Sequence, residues 1–198
     1  MVVDALILAG GRSSRLEGSA KQDLVLDGET LLARTVAAVR AVGARQVIVV
    51  GDASITGVVA VREEPAFSGP VAAIATGLRV LPEGSSPVLV LACDMPRIAE
   101  ALPVLVASAV GDATAVGDGV IAVDRGRPQQ LAFVAARDAL DRAVTTLPTV
   151  VDAPVRALLA ALDLAETVVP DGSTDDIDTW DDAARFAAVR PEPLRSGT

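Results

Sequence analysis

VVDALILAGG, residues 2–11, is the strongest structural signal in the chain. Residues 2–9 are a near-continuous apolar run that only Asp4 interrupts, and two adjacent glycines follow it. An apolar run that ends at glycines in this way predicts a strand buried on both faces. Strands of this kind occur in parallel sheets whose two faces are covered by helices.

The rest of the chain alternates between strand patterns and helix patterns. The first half predicts strands at 46–50, 58–62 and 88–92 and helices at 30–42, 71–81 and 98–110. The second half predicts a hairpin of 119–123 with 130–134, short strands at 113–116 and 167–169, and helices at 135–144, 155–162 and 181–189. This alternation predicts an α/β fold, a three-layer α/β/α sandwich with a Rossmann-like, mostly parallel sheet.

Length and composition fit one folded domain. The chain has 198 residues, 51% of them hydrophobic and 22% charged, and no linker-like stretch interrupts it. We expect a single domain over residues 1–189 and a disordered tail at 190–198, which contains two prolines and a glycine.

Missing residue types exclude several kinds of catalytic site. The chain has no histidine, no tyrosine and one cysteine, Cys93. It therefore has no Ser-His-Asp or Cys-His nucleophile and no histidine-ligated metal. We expect Cys93 to be a small buried residue, and its isolation favours a reducing compartment. Among the 17 basic residues, Lys21 is the only lysine.

Charge and hydropathy exclude other classes of protein. A net charge of −9 argues against binding to nucleic acid or to an anionic membrane, since both require a positive surface. No apolar run approaches the roughly 20 residues of a membrane-spanning helix. The first residues enter a strand pattern without a basic region, which indicates no signal peptide and predicts a cytoplasmic protein.

The predicted sheet places three segments on one edge. Ligands of such sheets bind beyond the carboxyl ends of the strands. That edge would hold residues 9–11, 51–52 and 93–94. The loop over residues 10–21 adds Arg12, Arg15 and Lys21 against one acid, Glu17, so its local charge is +2.

Glycines that expose backbone N–H groups, together with local positive charge, favour phosphate binding. A plain glycine turn that leads into a solvated loop is the alternative. Neither the P-loop pattern nor G-x-G-x-x-G is present, because Gly10 and Gly11 are adjacent and Lys21 is followed by Gln22.

Four further motifs follow one another along the chain. They are LAGG at 8–11 with Ser13 or Ser14, Arg15-Leu16, Gly18 and Lys21; GPVAAI at 69–74; LACDMP at 91–96; and DIDTWDD at 176–182. Together they resemble the motifs of one known family, the nucleotidyltransferases similar to molybdenum cofactor guanylyltransferase. The resemblance spans residues 6–182. It implies a fold of the nucleotide-diphospho-sugar transferase type and transfer of GMP from GTP to the molybdopterin cofactor, with release of pyrophosphate.

The resemblance also implies roles for individual residues. Arg15, Lys21 and Asp94 would be catalytic, and Asp94 with Glu64 would bind Mg²⁺. The nucleotide-binding set would be Leu8, Ala9, Gly10, Gly11, Arg12, Ser13, Lys21, Gly69, Pro70 and Asp94. The plain alternatives are a turn former for Asp94 and a solvated loop for Glu64. Residues 171–182, with six aspartates and no basic residue, are interpreted as a solvated loop with helix N-caps.

This chemistry is compatible with a chain that lacks histidine. A phosphate monoester has a second pKa near ~6, so at neutral pH it is largely a dianion and needs no general base. Positioning and charge neutralisation then carry the reaction.

Other functions remain open at this point. One is transfer of CMP or another nucleotide to a different phosphorylated small molecule. Another is a nucleotide-binding regulatory protein without turnover, suggested by Glu17, Ala20 and Ala73 where the family has other residues. The expected partners are a nucleoside triphosphate, a phosphorylated acceptor, and molybdenum cofactor enzymes or insertion proteins.

Overall fold

The computed structural model describes residues 2–10, 16, 20–53, 55–82, 84, 86–111 and 117–191. Its elements alternate as predicted. The strands are β1 (Asp4–Ala9), β2 (Val25–Leu26), β3 (Glu29–Thr30), β4 (Val47–Gly51), β5 (Val59–Val61), β6 (Val88–Ala92), β7 (Gly119–Asp124), β8 (Arg127–Ala135) and β9 (Leu164–Val168). The helices are α1 (Leu31–Ala41), α2 (Pro70–Val80), α3 (Ile98–Gly111), α4 (Arg137–Thr146), α5 (Val155–Leu159) and α6 (Trp180–Arg185).

Seven strands form one sheet in the order β5-β4-β1-β6-β8-β7-β9. β8 runs antiparallel to both of its neighbours, whereas the other neighbouring strands in this sheet are parallel. The mostly parallel sheet and the hairpin of β7 with β8 are therefore confirmed. Ala9 lies opposite Gly51 and Leu8 opposite Ala92, so β1, β4 and β6 end together at one edge.

Helices cover both faces of the sheet, which confirms the three layers. Ala5, Ile7 and Ala9 of β1 pack in the same cluster as side chains of α1 and α3. Leu6 and Leu8 pack on the opposite face, with side chains of α2, α4 and α5. The alternation along β1 explains its continuous apolar run, because both faces of the strand are buried.

A smaller cluster joins the two ends of the chain. Its buried members are Leu16, Leu24, Leu26, Leu31, Ile177, Ala183 and Ala188. Val25 and Val189 exchange two backbone hydrogen bonds of 2.8 Å, so the chain after α6 pairs with β2. This pairing shortens the predicted helix at 181–189, since Ala187 takes a positive φ of 56° and the chain leaves the helix before Val189.

The hairpin of β2 with β3 was not predicted. Asp27 and Gly28 form its two-residue turn, with φ of 54° and 84°. An Asp-Gly pair is a known signal for this type of turn, but the strands on either side are two residues long and show no clear pattern. The strand predicted at 113–116 and residues 192–198 of the predicted tail lie outside the described residues.

In the part of the chain that the structure describes, no helix is both long enough and apolar enough to cross a membrane.

Candidate active site

A cleft of about 880 Å³ opens at the sheet edge where β1, β4 and β6 end. Six residues predicted from the sequence line it: Leu8, Gly10, Lys21, Gly69, Pro70 and Asp94. Ala9 is fully buried and packs toward α1 and α3 instead, so its side chain does not contribute to the cleft. The predicted residues Gly11, Arg12, Ser13 and Arg15 lie outside the described residues.

Lys21 forms the centre of the site. It begins a single 3-10 turn over Lys21–Asp23, and its side chain is 23% exposed. Its Nζ donates a hydrogen bond of 2.8 Å to Oδ2 of Asp94 and a second one to Oδ1 of Asp178. Burial lowers the pKa of Lys21, but the negative charge of Asp94 and the hydrogen bonds to both carboxylates outweigh it and raise the pKa overall. Lys21 is therefore held as an ammonium ion.

Three carboxylates converge beside this ammonium. One oxygen each from Asp94, Asp176 and Asp178 lies within 4.8 Å of the others. Although Asp176 is an exposed residue, partial loss of solvent around its carboxyl group, followed by the negative charges of Asp94 and Asp178, raises its pKa. Hard oxygen donors in such a group are the ligands that Mg²⁺ prefers. The group therefore fits a divalent metal ion.

The backbone explains how distant residues reach the same point. Asp94 follows β6, and its carbonyl oxygen accepts a hydrogen bond of 3.0 Å from the N–H of Ile177. Ile177 is fully buried, whereas Asp176 is exposed and Asp178 partly exposed. The buried Ile177 fixes the segment, and the two aspartates on either side of it reach the carboxyl end of β6.

Asp124, at the end of β7, anchors the loop that leads to these aspartates. Its side chain is buried and accepts hydrogen bonds from the N–H of Gly172 at 2.9 Å and from the N–H and hydroxyl of Thr174 at 3.1 and 2.8 Å. Burial raises the pKa of Asp124, but these hydrogen bonds and the charge of Arg125 lower it overall. The carboxylate is thus ionised in the folded protein.

Replacing Asp124 by asparagine should destabilise the protein by about 1–3 kcal/mol. The NH₂ group of asparagine is a donor, so it cannot accept the hydrogen bonds that the carboxylate oxygen in its place accepts. Since the folded-state pKa is below the ordinary value near ~4, the contribution of Asp124 is complete above that pH and is lost as the pH falls through the folded-state pKa. Urea unfolding at pH 7 and pH 3 checks this. The difference between Asp124→Asn and wild type should shrink at pH 3, and a constant difference would contradict the assignment.

Glu64 does not join the group of carboxylates among the described residues. It is exposed, whereas its neighbour Glu63 is buried, lines the cleft and accepts a hydrogen bond of 3.1 Å from the N–H of Phe67. The structure thus brings Asp176 and Asp178 to Asp94, where the sequence interpretation had placed Glu64. The metal role of Glu64 stays a prediction that this geometry does not favour.

Helix α2 points its first turn at the cleft. Gly69 precedes it with φ of 87°, and Pro70 is its first residue, where a missing N–H has no cost. Both residues line the cleft, so the N-terminus of α2 and the positive end of its dipole lie next to it. Cys93 also lines the cleft, but it is buried, and burial raises the pKa of its thiol. This confirms the prediction of a small buried residue.

Comparison with known proteins supplies a family context. The model of the MobA-like NTP transferase domain matches residues 5–169. A probable molybdenum cofactor guanylyltransferase from Opitutus terrae is 39% identical over 97 residues, which are 46% of this chain and 48% of that protein. The chain thus spans about half the length of this curated relative. Asp176 and Asp178 lie beyond the matched family domain.

Solved structures share the fold at low identity. One such structure is that of the Mycobacterium tuberculosis Rv0371c homologue from Mycobacterium sp. strain JC1. It superposes with a TM-score of 0.74 at 23% identity and covers 93% of this chain and 95% of that one. Molybdopterin-guanine dinucleotide biosynthesis protein A from Archaeoglobus fulgidus gives 0.66 at 20%, covering 93% and 96%. The 2-C-methyl-D-erythritol 4-phosphate cytidylyltransferase from Thermus thermophilus gives 0.63 at 21%, covering 94% and 97%.

Proposed function

Because the chain belongs to the family of MobA-like NTP transferase domains, we propose that it is a nucleotidyltransferase that transfers GMP from GTP to the molybdopterin cofactor and releases pyrophosphate. The observation that carries the proposal is a group of three carboxylates, two of which bind Lys21 and line the cleft at the carboxyl ends of β1 and β6. The curated relative from Opitutus terrae bears the corresponding name and supports the choice of nucleotide.

Charge balance explains why a cation and carboxylates occur together. A nucleoside triphosphate and an acceptor phosphate are both anions, and carboxylates alone would repel them. Asp94, Asp176 and Asp178 would hold Mg²⁺, which, when bound, neutralises phosphate charge and orients phosphate oxygens. Carboxylates and phosphates can then share one small volume.

The chain's own residues would position the reactants. Lys21 would donate to the α-phosphate region and offset the negative charge that develops on the leaving pyrophosphate. The first turn of α2, at Gly69 and Pro70, would direct N–H groups toward the nucleotide. The loop with Arg12 and Arg15 would complete the phosphate contacts. The acceptor phosphate attacks the α-phosphorus, the bond to pyrophosphate breaks, and no protein base takes part because the acceptor arrives deprotonated.

A pyrophosphate-release assay with molybdopterin and Mg²⁺, run separately with GTP, CTP, ATP and UTP, tests the proposal. We expect turnover with GTP and a loss of about 100-fold or more in kcat/KM for Lys21→Ala, because a donor to the transition state is removed. Arg156→Ala is the matched control, since Arg156 is an exposed cation on α5. Its activity should equal that of wild type.

The other outcomes point to specific alternatives. Turnover with CTP rather than GTP would assign CMP transfer, which the shared fold with a cytidylyltransferase also accommodates. Thermal stabilisation by a nucleotide without turnover for any acceptor would favour a binding protein and overturn the transferase proposal.

A further inference from the structure

The ammonium of Lys21 binds the same carboxylates that would hold a metal ion. Its Nζ lies 2.8 Å from Oδ2 of Asp94 and also donates to Oδ1 of Asp178. Asp94 and Asp178 are two of the three members of the acidic group. The ammonium therefore satisfies charges that a divalent cation would otherwise satisfy.

A metal ion and this ammonium cannot both keep these contacts at low cost. Mg²⁺ contacts its oxygen ligands directly, at about 2.0–2.1 Å, so it would compete with Lys21 for the carboxylates of Asp94 and Asp178. Two cations on the same two carboxylates also repel each other, and partial burial weakens solvent screening of that repulsion. Binding of a metal ion therefore weakens the hold of the two carboxylates on Lys21.

Lys21 is able to leave. Its charge sits at the end of a four-carbon flexible stem, and the residue lines the open cleft rather than the protein interior. Rotation about the bonds of this stem would move the ammonium away from the carboxylates and within the cleft.

We propose that Lys21 acts as a tethered cation that closes the metal site of the resting protein, and that entry of a divalent ion releases it toward the phosphates. The inference rests on the proposed function, because it takes the carboxylates of Asp94, Asp176 and Asp178 as the metal site. It adds a coupling: without metal, Lys21 is engaged with carboxylates and binds phosphate weakly. Metal and triphosphate then bind with positive cooperativity through one side chain.

The single lysine allows a direct test in the unmodified protein. Protein grown with lysine labelled with ¹³C at Cε gives one lysine signal, that of Lys21. We expect this signal to move on addition of Mg²⁺ and to saturate. Saturable binding of Mn²⁺, followed by its electron spin resonance, with displacement by Mg²⁺, reports occupancy of the metal site independently. A lysine signal that stays in place while metal binds would overturn the inference.

A variant measures the competition itself. Lys21→Met should bind Mn²⁺ about tenfold or more tightly than wild type, since a neighbouring charge commonly shifts such equilibria by one to three powers of ten. Arg185→Met is the matched control, because Arg185 pairs with Asp175 and Asp182 outside the group. It loses the same charge and should change the affinity by less than about twofold. Equal or weaker binding by Lys21→Met would contradict the proposal.

These measurements use protein and metal alone, so their outcome is separate from the transferase assay. Metal binding with an unmoved Lys21 would remove this inference and leave the proposed reaction intact. Absence of Mn²⁺ binding in both wild type and Lys21→Met would remove the inference together with the metal site. Release of Lys21 without turnover would retain the exchange and reject the reaction.

Discussion

Replacing Asp94 by asparagine is expected to lower turnover with GTP and molybdopterin by about 100-fold or more. Asp94, like Asp178, both contacts Lys21 and belongs to the acidic group, and it is the one that directly follows β6. Asparagine keeps the size of the side chain and one oxygen that can accept from Lys21. It removes the negative charge, so the change separates charge from shape.

Two measurements locate the defect in Asp94→Asn. The Mg²⁺ concentration for half-maximal activity should rise, because one of three carboxylates is lost from the metal site. The urea midpoint should stay close to that of wild type, since Asp94 is partly exposed and its backbone contact with Ile177 is retained. Asp181→Asn is the control, because Asp181 is exposed on α6 and outside the group. Turnover within about threefold of wild type for Asp94→Asn would contradict the site.

The part of the site that follows a buried strand was predictable from the sequence. Asp94 comes directly after the apolar run of β6, and the rule that ligands bind at the carboxyl ends of parallel strands places it at the sheet edge. Gly10 follows β1 by the same argument. The resemblance to a family then supplied Lys21 and Gly69-Pro70, which the structure also brings to the cleft.

The part of the site that comes from a segment distant in sequence was not predicted. Asp176 and Asp178 lie in an acidic segment that was interpreted as a solvated loop with helix caps. The cap interpretation holds for Asp182, which forms a capping box with Thr179. The signal that was missed is the order Asp176-Ile177-Asp178. Alternate side chains of an extended segment point to opposite sides, so a buried apolar residue between two acids predicts that both carboxylates face away from the core. No local sequence pattern predicts that Ile177 packs at the end of β6 rather than at the end of another strand.

Glu63 and Glu64 show a second limit of sequence reasoning. Two adjacent acids in a turn point in different directions, and a one-residue error exchanges the buried carboxylate for the exposed one. Glu63 is fixed by the N–H of Phe67, whose φ of 62° is uncommon for a bulky residue. A backbone conformation of that kind cannot be derived from residue types alone.

Replacing Gly51 by alanine should lower the free energy of unfolding by about 3 kcal/mol. This is among the largest effects expected of a single change outside the charged residues of the site. Gly51 ends β4 with φ of 141°, and a Cβ there would lie 2.4 Å from the carbonyl oxygen of Ala9 and 2.7 Å from the N of Gly10. Both obstacles are backbone, so no side-chain rotation relieves them. The ends of β1 and β4 would have to separate at the cleft, and nucleotide binding should weaken as well.

Two other glycines separate the contributions to this effect, with urea unfolding as the measurement. Gly57 also has a positive φ, of 76°, but open space around its Cβ position, so Gly57→Ala should cost about 1 kcal/mol from backbone strain alone. Gly111, at the end of α3, has open space and no positive φ, and Gly111→Ala should be neutral or slightly stabilising. If Gly51→Ala lowers the free energy of unfolding no more than Gly57→Ala does, the ends of β1 and β4 can separate without loss of stability. The close approach of Gly10 to Gly51 would then not be required for the stability of the sheet edge.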